Sequence, residues 1–404
     1  MSFSEGNITK PYVLLTRIEL IKTKSGKIYC ERLWAKDLLL HLGYIKDFQI
    51  CCPIIYRENI DGLIDISNYK ISRIFELKKD FGFFSIIRNI IPNFLVVVKA
   101  CENASIVHSG GAGWAFPLSF YLLFIKDFFS FKWVILIESS FWMLSKSERL
   151  TFRRYFVHHS YSWLLTLCVK KADARIFTQT FYRNYFLHNN RHKTLIAPAS
   201  WVDKSSVISV EKVKERYKKK VEKTIEIIFP ARLEENKGVR VLFSAIEALS
   251  AMNVEVNITL MGDGALRDEC EKFALGDFGP VKVAFKEPVI YGDEFFNVLC
   301  QFDAVLVPNI KEEQPRIIFD AFSQGVPVIA SDTWGICDIT SNRVNALHCK
   351  QGDPKSLASA VSYAVMNSEI LVELGLNGLA YAKSKTHLQM HIDRYRFLKK
   401  VFGL

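Results

Sequence analysis

The sequence predicts an α/β fold built as two doubly wound units, one in each half of the chain. Three observations predict it. Short apolar, strand-like runs alternate with helical patterns from Tyr12 to Ala197. The alternation stops at the charged stretch of residues 204–224 and restarts at Ile225. The strands of the second half are nearly continuous hydrophobic runs, the pattern of a parallel sheet covered on both faces. A length of 404 residues fits two domains.

In the first half, Tyr12 to Thr16 reads as the first strand, followed by a polar loop from Lys22 to Lys27 that holds Gly26. Tyr29 to Leu42 reads as a helix, with Leu33, Leu38, Leu39 and Leu42 near one side. Further strands are expected at Gln49–Ile55, Ala104–Val107, Trp133–Ile137, Ala174–Thr178 and Leu195–Ala197. The fourth of these six ends at Glu138, and the third runs into His108-Ser109-Gly110-Gly111. Ala112 to Ile125 reads as a buried helix after that glycine loop. It is too short for a span of about 20 residues and contains Pro117. Phe81 to Val98 is apolar but interrupted by Arg88 and Pro92, and Ile71 to Phe84 before it mixes Arg73, Lys78 and Lys79 with Ile74, Phe75, Phe81, Phe83 and Phe84, so the stretch reads either as a loop and helix resting on a membrane surface or as a helix packed at a domain edge.

Residues 204–224 read as an exposed helix or linker. The second half then offers the strand EIIFPAR after Ile225, and strands at Asn257–Met261, Val281–Phe285, Ala304–Val307, Val326–Ala330 and Ala346–His348. Helices are expected at Gly238–Met252 and Arg267–Leu275, and the chain ends in a basic, aromatic helical tail, residues 387–404. The resulting division is 1–203, 204–224, 225–386 and 387–404, the tail packing back on the first domain.

Charge is unevenly spread. Residues 1–200 hold 27 Lys and Arg against 15 Asp and Glu, and the whole chain carries +11, so the basicity belongs to the first half. A basic face of this kind attracts anionic lipid or glycan, or else is a solvated surface. It is not interleaved with aromatics as in a nucleic-acid module, so nucleic acid is not an expected partner. Nine cysteines without a CxxC pair fit reduced thiols in a cytoplasmic protein better than a disulfide framework. No Cys/His spacing suggests a metal site, and the N-terminus does not read as a signal peptide.

The chemistry is concentrated at the C-terminal ends of the second-half strands. Ala231-Arg232-Leu233 followed by Lys237-Gly238 places two cations between a strand and a helix, where they can neutralise a diphosphate. Met261-Gly262-Asp263-Gly264 offers glycines that allow close backbone approach to a ligand. In residues 301–335 a strand runs into Pro308, Glu312 stands in the turn, a helix starts near Pro315, and Asp320 lies on it. The start of that helix, Gln314-Pro315-Arg316-Ile317, offers backbone amides, other than at Pro315, as a place for phosphate oxygens. Taken alone, Asp320 is also readable as a helix N-terminal acid and Glu312 as a solvated carboxylate.

In order, these motifs closely resemble the retaining glycosyltransferases of family 4, the group-1 glycosyltransferases with the GT-B fold. The carrying residues are Ala231-Arg232-Leu233 with Lys237-Gly238, Met261 to Gly264, Glu312 with Asp320 eight positions on, then AFSQGVPVIAS, and Gly352-Asp353-Pro354. Asp320 stands where the family has a second glutamate, and a carboxylate one methylene shorter still accepts from ribose hydroxyls. The resemblance covers residues 225–370 and is looser in the first half.

The resemblance implies two Rossmann-like domains facing each other across a deep cleft, the first binding the acceptor. The donor would be a UDP- or GDP-sugar, with no permanently bound cofactor and no divalent metal required. Arg232 and Lys237 would hold the diphosphate, Asp320 the ribose, Glu312 the sugar, and the Gln314–Ile317 amides, Gly262 and Gly264 would complete the donor site. The base would pack near Lys286 to Ile290. Gly26 would correspond to a first-domain glycine loop near the diphosphate. Glu138 and His108 are the two candidates for the first-domain residue facing the sugar. A hexose-type sugar would be transferred with retention to a glycan or a polyprenyl- or lipid-linked acceptor, in capsule, lipopolysaccharide or other surface polysaccharide synthesis, at the cytoplasmic face of a membrane. A non-hydrolysing sugar-nucleotide epimerase and an inactive scaffold of the same fold are the competing readings.

Overall fold

The computed structural model describes residues 7–404 except 114–115, 145–150, 189 and 219–223. The chain divides into two compact units, residues 7–197 with 391–404, and residues 198–390. Each is an α/β layer structure.

The first unit begins with β1 (Tyr12–Leu15), β2 (Leu20–Lys22), β3 (Ile28–Glu31), α1 (Arg32–Leu42), β4 (Phe48–Tyr56), β5 (Leu63–Asp65) and β6 (Arg73–Leu77). It continues through α2 (Phe83–Cys101), β7 (Ile106–Gly110), α3 (Phe120–Ile125), β8 (Lys132–Ile137), α4 (Phe152–Lys171), β9 (Ala174–Phe177), α5 (Thr180–Leu187) and β10 (Thr194–Ile196). The sheet runs β10-β9-β8-β7-β1-β4, with β6 also on β4 and the short strands β2, β3 and β5 continuing from the far end of β4. The main strands are parallel, and Leu14 of β1 stands level with Ile50 and His108. Val13, Val107, Trp133, Ile135 and Phe177 on one face of this sheet form a core with residues of α2 to α5.

Two expectations change here. Tyr29-Cys30-Glu31 is the strand β3, antiparallel to β2, and the helix starts only at Arg32. Gly26, with φ 83°, turns that hairpin, its amide bonded to the Thr23 carbonyl at 3.0 Å. It therefore stands at a hairpin tip and not in a strand-to-helix loop. The segment before Phe81 contains β6, an alternately exposed and buried edge strand.

α2 is the one helix among the described residues long and apolar enough to meet the size of a membrane span, with mean hydropathy 1.5 over Phe84–Cys101. It joins two strands of one sheet and buries Ile86, Val97 and Ala100, which makes it a layer helix. Its start is fixed by Ser85, whose Oγ accepts the Phe81 and Gly82 amides at 2.8 and 3.0 Å. Part of the expected Ala112–Ile125 helix, Trp114 and Ala115, lies outside the described residues; the helix seen is α3.

The second unit opens with α6 (Val210–Lys218), then β11 (Glu226–Pro230), α7 (Val239–Ala251), β12 (Val256–Met261), α8 (Arg267–Ala274), β13 (Val281–Lys286), α9 (Asp293–Leu299) and β14 (Ala304–Val307). It closes with α10 (Ile317–Ser323), β15 (Val328–Ser331), α11 (Trp334–Cys337), β16 (Ala346–Cys349), α12 (Pro354–Met366), α13 (Ile370–Ser384) and the start of α14 (His387–Phe402). All six strands are parallel, in the order β13-β12-β11-β14-β15-β16. Both faces are covered by apolar cores, which explains the unbroken hydrophobic runs. α6 is no free linker: Arg216 donates to the carbonyls of Gln324 and Gly325 at 2.9 and 2.7 Å. Residues 219–223 of that stretch lie outside the described residues. Asp353 caps α12 by accepting the Ser356 amide at 3.1 Å, with Pro354 in the first turn.

Candidate functional site

The strand order of the second unit reverses between β11 and β14. From β11 the chain winds outward through β12 and β13, then crosses to β14 and winds the other way. In open parallel sheets this reversal leaves a crevice outside the carboxyl ends of the two central strands. The loops after β11 and β14 carry Arg232, Lys237, Glu312 and Gln314, and the first turn of α10 carries Asp320, so the fold gathers these residues at the reversal.

The two loops are bolted together. Gly238 has φ 81°, and a Cβ there would stand 2.0 Å from the Pro308 carbonyl oxygen. The Ile310 amide donates to the Asn236 carbonyl at 3.0 Å, and the Asn236 side chain donates to Glu313 at 3.1 Å. Lys237 forms an ion pair with the other oxygen of Glu313. Arg232, more exposed, pairs with Glu234 at 3.1 Å. The structure thus places both cations on the β11–α7 connection, each on its own acid, with no shared partner for them among the described residues.

Glu312 accepts the Trp334 amide at 2.8 Å, which ties the β14 loop to the start of α11. Asp320 is buried in the first turn of α10 and accepts the Tyr291 hydroxyl at 2.9 Å. Burial, and then the neighbouring Asp320 carboxylate, push the Tyr291 hydroxyl well above its usual range, so it stays protonated and donates. Gln314 accepts the Ala199 amide at 3.1 Å through its oxygen, while its buried Nε2 has no hydrogen-bond partner among the described residues. Pro315 is buried, Arg316 is exposed over the ring of Trp201, and Ile317 begins α10.

Gly262 and Gly264 follow β12 with φ near 150°. A Cβ on Gly262 would meet the Ala231 carbonyl oxygen at 1.9 Å, and one on Gly264 the Leu233 oxygen at 2.7 Å. Close approach is the reason for both glycines, and what approaches is the β11 loop. The Leu233 amide completes this packing by donating to the Asp263 carbonyl at 2.8 Å.

In the first unit, Glu138 follows β8, exposed, with Arg394 of α14 at 3.9 Å. His108 does not end its strand. It lies inside β7, 4 % exposed, with Nδ1 bonded to the Tyr12 hydroxyl at 2.7 Å and its ring near His41. Burial drives its pKa well below the usual imidazole value, so it is neutral. It is buried in the core of the sheet, and the expectation that it ends its strand is corrected. Glu313, Asn236 and Tyr291 were not singled out in the sequence. Glu313 adjoins the singled-out Glu312, but only loop geometry decides which of two neighbouring acids meets Lys237.

Residues 224–367 match the family described as glycosyl transferases group 1. The chain is 27 % identical over 244 residues to the amylovoran biosynthesis glycosyltransferase AmsK of Erwinia amylovora, covering 57 % of this chain and 58 % of that protein. It is 26 % identical over 166 residues to the 2-deoxystreptamine glucosyltransferase of Streptomyces kanamyceticus, covering 41 % and 43 % respectively. The chain thus spans about half the length of the curated relatives it matches. Among solved structures, sucrose-phosphate synthase of Thermosynechococcus elongatus superposes with TM-score 0.69 at 15 % identity, over 98 % of this chain and 99 % of the other. The Anabaena protein Alr3699/HepE in complex with UDP superposes with TM-score 0.65 at 14 % identity, over 98 % of this chain and all of the other. These likenesses show that the fold is GT-B, and the match over residues 224–367 relates the second unit to the group-1 glycosyltransferases.

Proposed function

We propose that this chain is a retaining glycosyltransferase that moves a hexose-type sugar from a UDP- or GDP-sugar to a glycan or lipid-linked glycan, in the assembly of a bacterial surface polysaccharide. One observation carries the reading: Lys237 and Glu312 stand on the two loops that leave the strand-order reversal between β11 and β14, and Asp320 stands in the first turn of the helix that follows the second loop. The related Anabaena structures with UDP and with UDP-glucose, and the naming of AmsK for amylovoran biosynthesis, support the donor class and the biological setting.

In this reading Lys237 exchanges Glu313 for the donor diphosphate, and Arg232 swings from Glu234 to the same group. These cations supply the charge neutralisation that a divalent metal gives in other enzymes. Gln314 Nε2, a buried donor, and the amides of Arg316 and Ile317 take phosphate oxygens. Asp320 accepts from the ribose hydroxyls, and Glu312 orients the sugar. Gly262 and Gly264 act by holding the β11 loop in place. As the bond from C1 to the β-phosphate oxygen breaks, the acceptor hydroxyl attacks the same face through an oxocarbenium-like ion pair. Its proton passes to the departing phosphate oxygen, so no enzyme carboxylate acts as nucleophile. Glu138 is the first-unit residue assigned to the acceptor or sugar. The exposed apolar side of α2 supports a peripheral position on the cytoplasmic side of a membrane.

The test is a panel of UDP- and GDP-sugars incubated with the protein, followed by chromatography for free sugar and nucleoside diphosphate. One donor is expected to be hydrolysed slowly without acceptor, and UDP or GDP to raise the Tm. Absence of both in wild type rejects the reading, and a changed sugar still attached to its nucleotide assigns the chain as an epimerase.

A further inference from the structure

We propose that the cavity beside Arg17 in the first unit binds the phosphate of a membrane-seated lipid, with α2 resting on the bilayer surface next to it. The cavity measures about 90 Å³ and opens beyond the ends of β1 and β6, beside Pro53 of β4. A water's share of liquid volume is about 30 Å³, so there is room for a group of phosphate size. Its lining includes Arg17, Lys78 and Lys79 against the acids Glu19 and Asp80. Arg17 is held in place by the loop over it: its Nη2 donates to the Phe116 carbonyl at 3.3 Å, and a Cβ on Gly113 would stand 3.0 Å from its Nε.

The two sides of α2 explain why the phosphate belongs to a lipid. Its inner side builds the cavity wall. Asn93 bonds both the amide and the carbonyl of Lys78, at 2.8 and 3.0 Å, and Asn89 donates to the Lys79 carbonyl and to Asp80 at 3.1 and 3.0 Å. The outer side exposes Phe84, Ile87, Ile91 and Leu95, spaced as one helical ridge, with Phe81 just before them. No acid occurs between Phe81 and Cys101, while Arg88 and Lys99 are exposed there. Lys79 joins the two features, its ammonium 5.2 Å from the centroid of the Phe81 ring. A site for a soluble phosphate has no use for such a ridge. A site for a lipid phosphate needs apolar side chains to enter the interface and cations at head-group depth.

The inference rests on the reading of the acceptor as lipid-linked, and vesicle binding separates the two because it needs neither donor nor transfer. The full chain is floated with phosphatidylcholine vesicles carrying either phosphatidic acid or phosphatidylserine at matched surface charge. Wild type is expected to favour the phosphatidic acid vesicles at least tenfold. Arg17→Gln is expected to lose that preference while keeping its phosphatidylserine binding, and Ile91→Glu to weaken binding to both at least tenfold. Lys78→Gln, exposed and less demanding on the fold, serves as the second cavity variant if Arg17→Gln lowers the Tm. Equal wild-type binding to both lipids, or a preference that survives in the cavity variants, overturns the phosphate site. Unaltered binding by Ile91→Glu overturns the role of α2. A Tm rise with inorganic phosphate alone, abolished in Arg17→Gln while vesicles bind no better than background, assigns the cavity to a soluble anion and also overturns the proposal.

Discussion

The position where a Cβ would stand on Gly238 lies 2.0 Å from the carbonyl oxygen of Pro308. This contact presses the β11 loop onto the β14 loop and sets the distance between Lys237 and the acids opposite it. Gly238→Ala is expected to destabilise the protein on two counts, a left-handed backbone and a backbone clash. The first alone costs about 1–3 kcal/mol. Gly26 has nearly the same φ, 83°, with nothing within 4 Å of its Cβ position, so Gly26→Ala isolates the backbone term. Urea denaturation should show the Gly238 variant less stable than the Gly26 variant, and equal losses would show that the loops yield to each other.

Lys237 and Glu313 predict a competition. The donor diphosphate must displace Glu313, so removing its charge should help. Glu313→Gln is expected to tighten UDP or GDP binding by up to about fivefold, the scale of a partly exposed ion pair. Lys237→Ala removes a charged donor and is expected to weaken binding roughly 10- to 100-fold. Titration calorimetry measures both. Weaker binding in Glu313→Gln would mean that the acid positions the lysine and does not compete for it.

How legible an element is in the sequence depends on where its neighbours lie. Ala304–Val307 was legible to the residue because a strand buried on both faces must be an apolar run, whatever it packs against. β6 was not, since RIFEL is an edge strand with alternating exposure and its charges resemble those of an amphipathic helix. Tyr29–Glu31 runs directly into the apolar spacing of α1, so nothing local separates strand from helix. In the site, residue types and loops were legible while partners were not. Lys237 and Glu313 are 76 residues apart, and their pairing follows from the Gly238–Pro308 contact. Gly262 and Gly264 were read as points of close approach to a ligand, and the close approach seen at both is that of a neighbouring loop.

Asp320 and Tyr291 predict a separation of nucleoside from diphosphate binding. Asp320→Ala is expected to weaken binding of uridine or guanosine and of the corresponding diphosphate by the same factor, because ribose is common to both. Lys237→Ala should affect the diphosphate only. Tyr291→Phe takes one donor from a buried carboxylate and should lower stability by roughly 1–2 kcal/mol. Isothermal titration with the nucleoside and its diphosphate decides the matter. A loss confined to the diphosphate in Asp320→Ala would remove Asp320 from the ribose.

Acid stability depends on a buried histidine pair in the first unit. His391 of α14 bonds Asp37 of α1 at 2.9 Å, with His41, Tyr44, Arg394 and, across the layer, Tyr12 and His108 around them. Burial lowers the His391 pKa to about 3, outweighing Asp37, which acts to raise it. Burial lowers His108 as well. Both are neutral when folded, whereas an unfolded histidine takes a proton near pH 6.5. Between these values the unfolded state binds more protons, so stability increases with pH. It is fully present above about pH 6.5 and falls as pH drops towards 3, each histidine contributing up to about 1.4 kcal/mol per pH unit. His391→Gln should flatten the dependence of the urea midpoint on pH between 6 and 4, leaving the slope due to His108. An unchanged slope in the variant would show that His391 is charged in the folded protein, with Asp37 as its counter-ion.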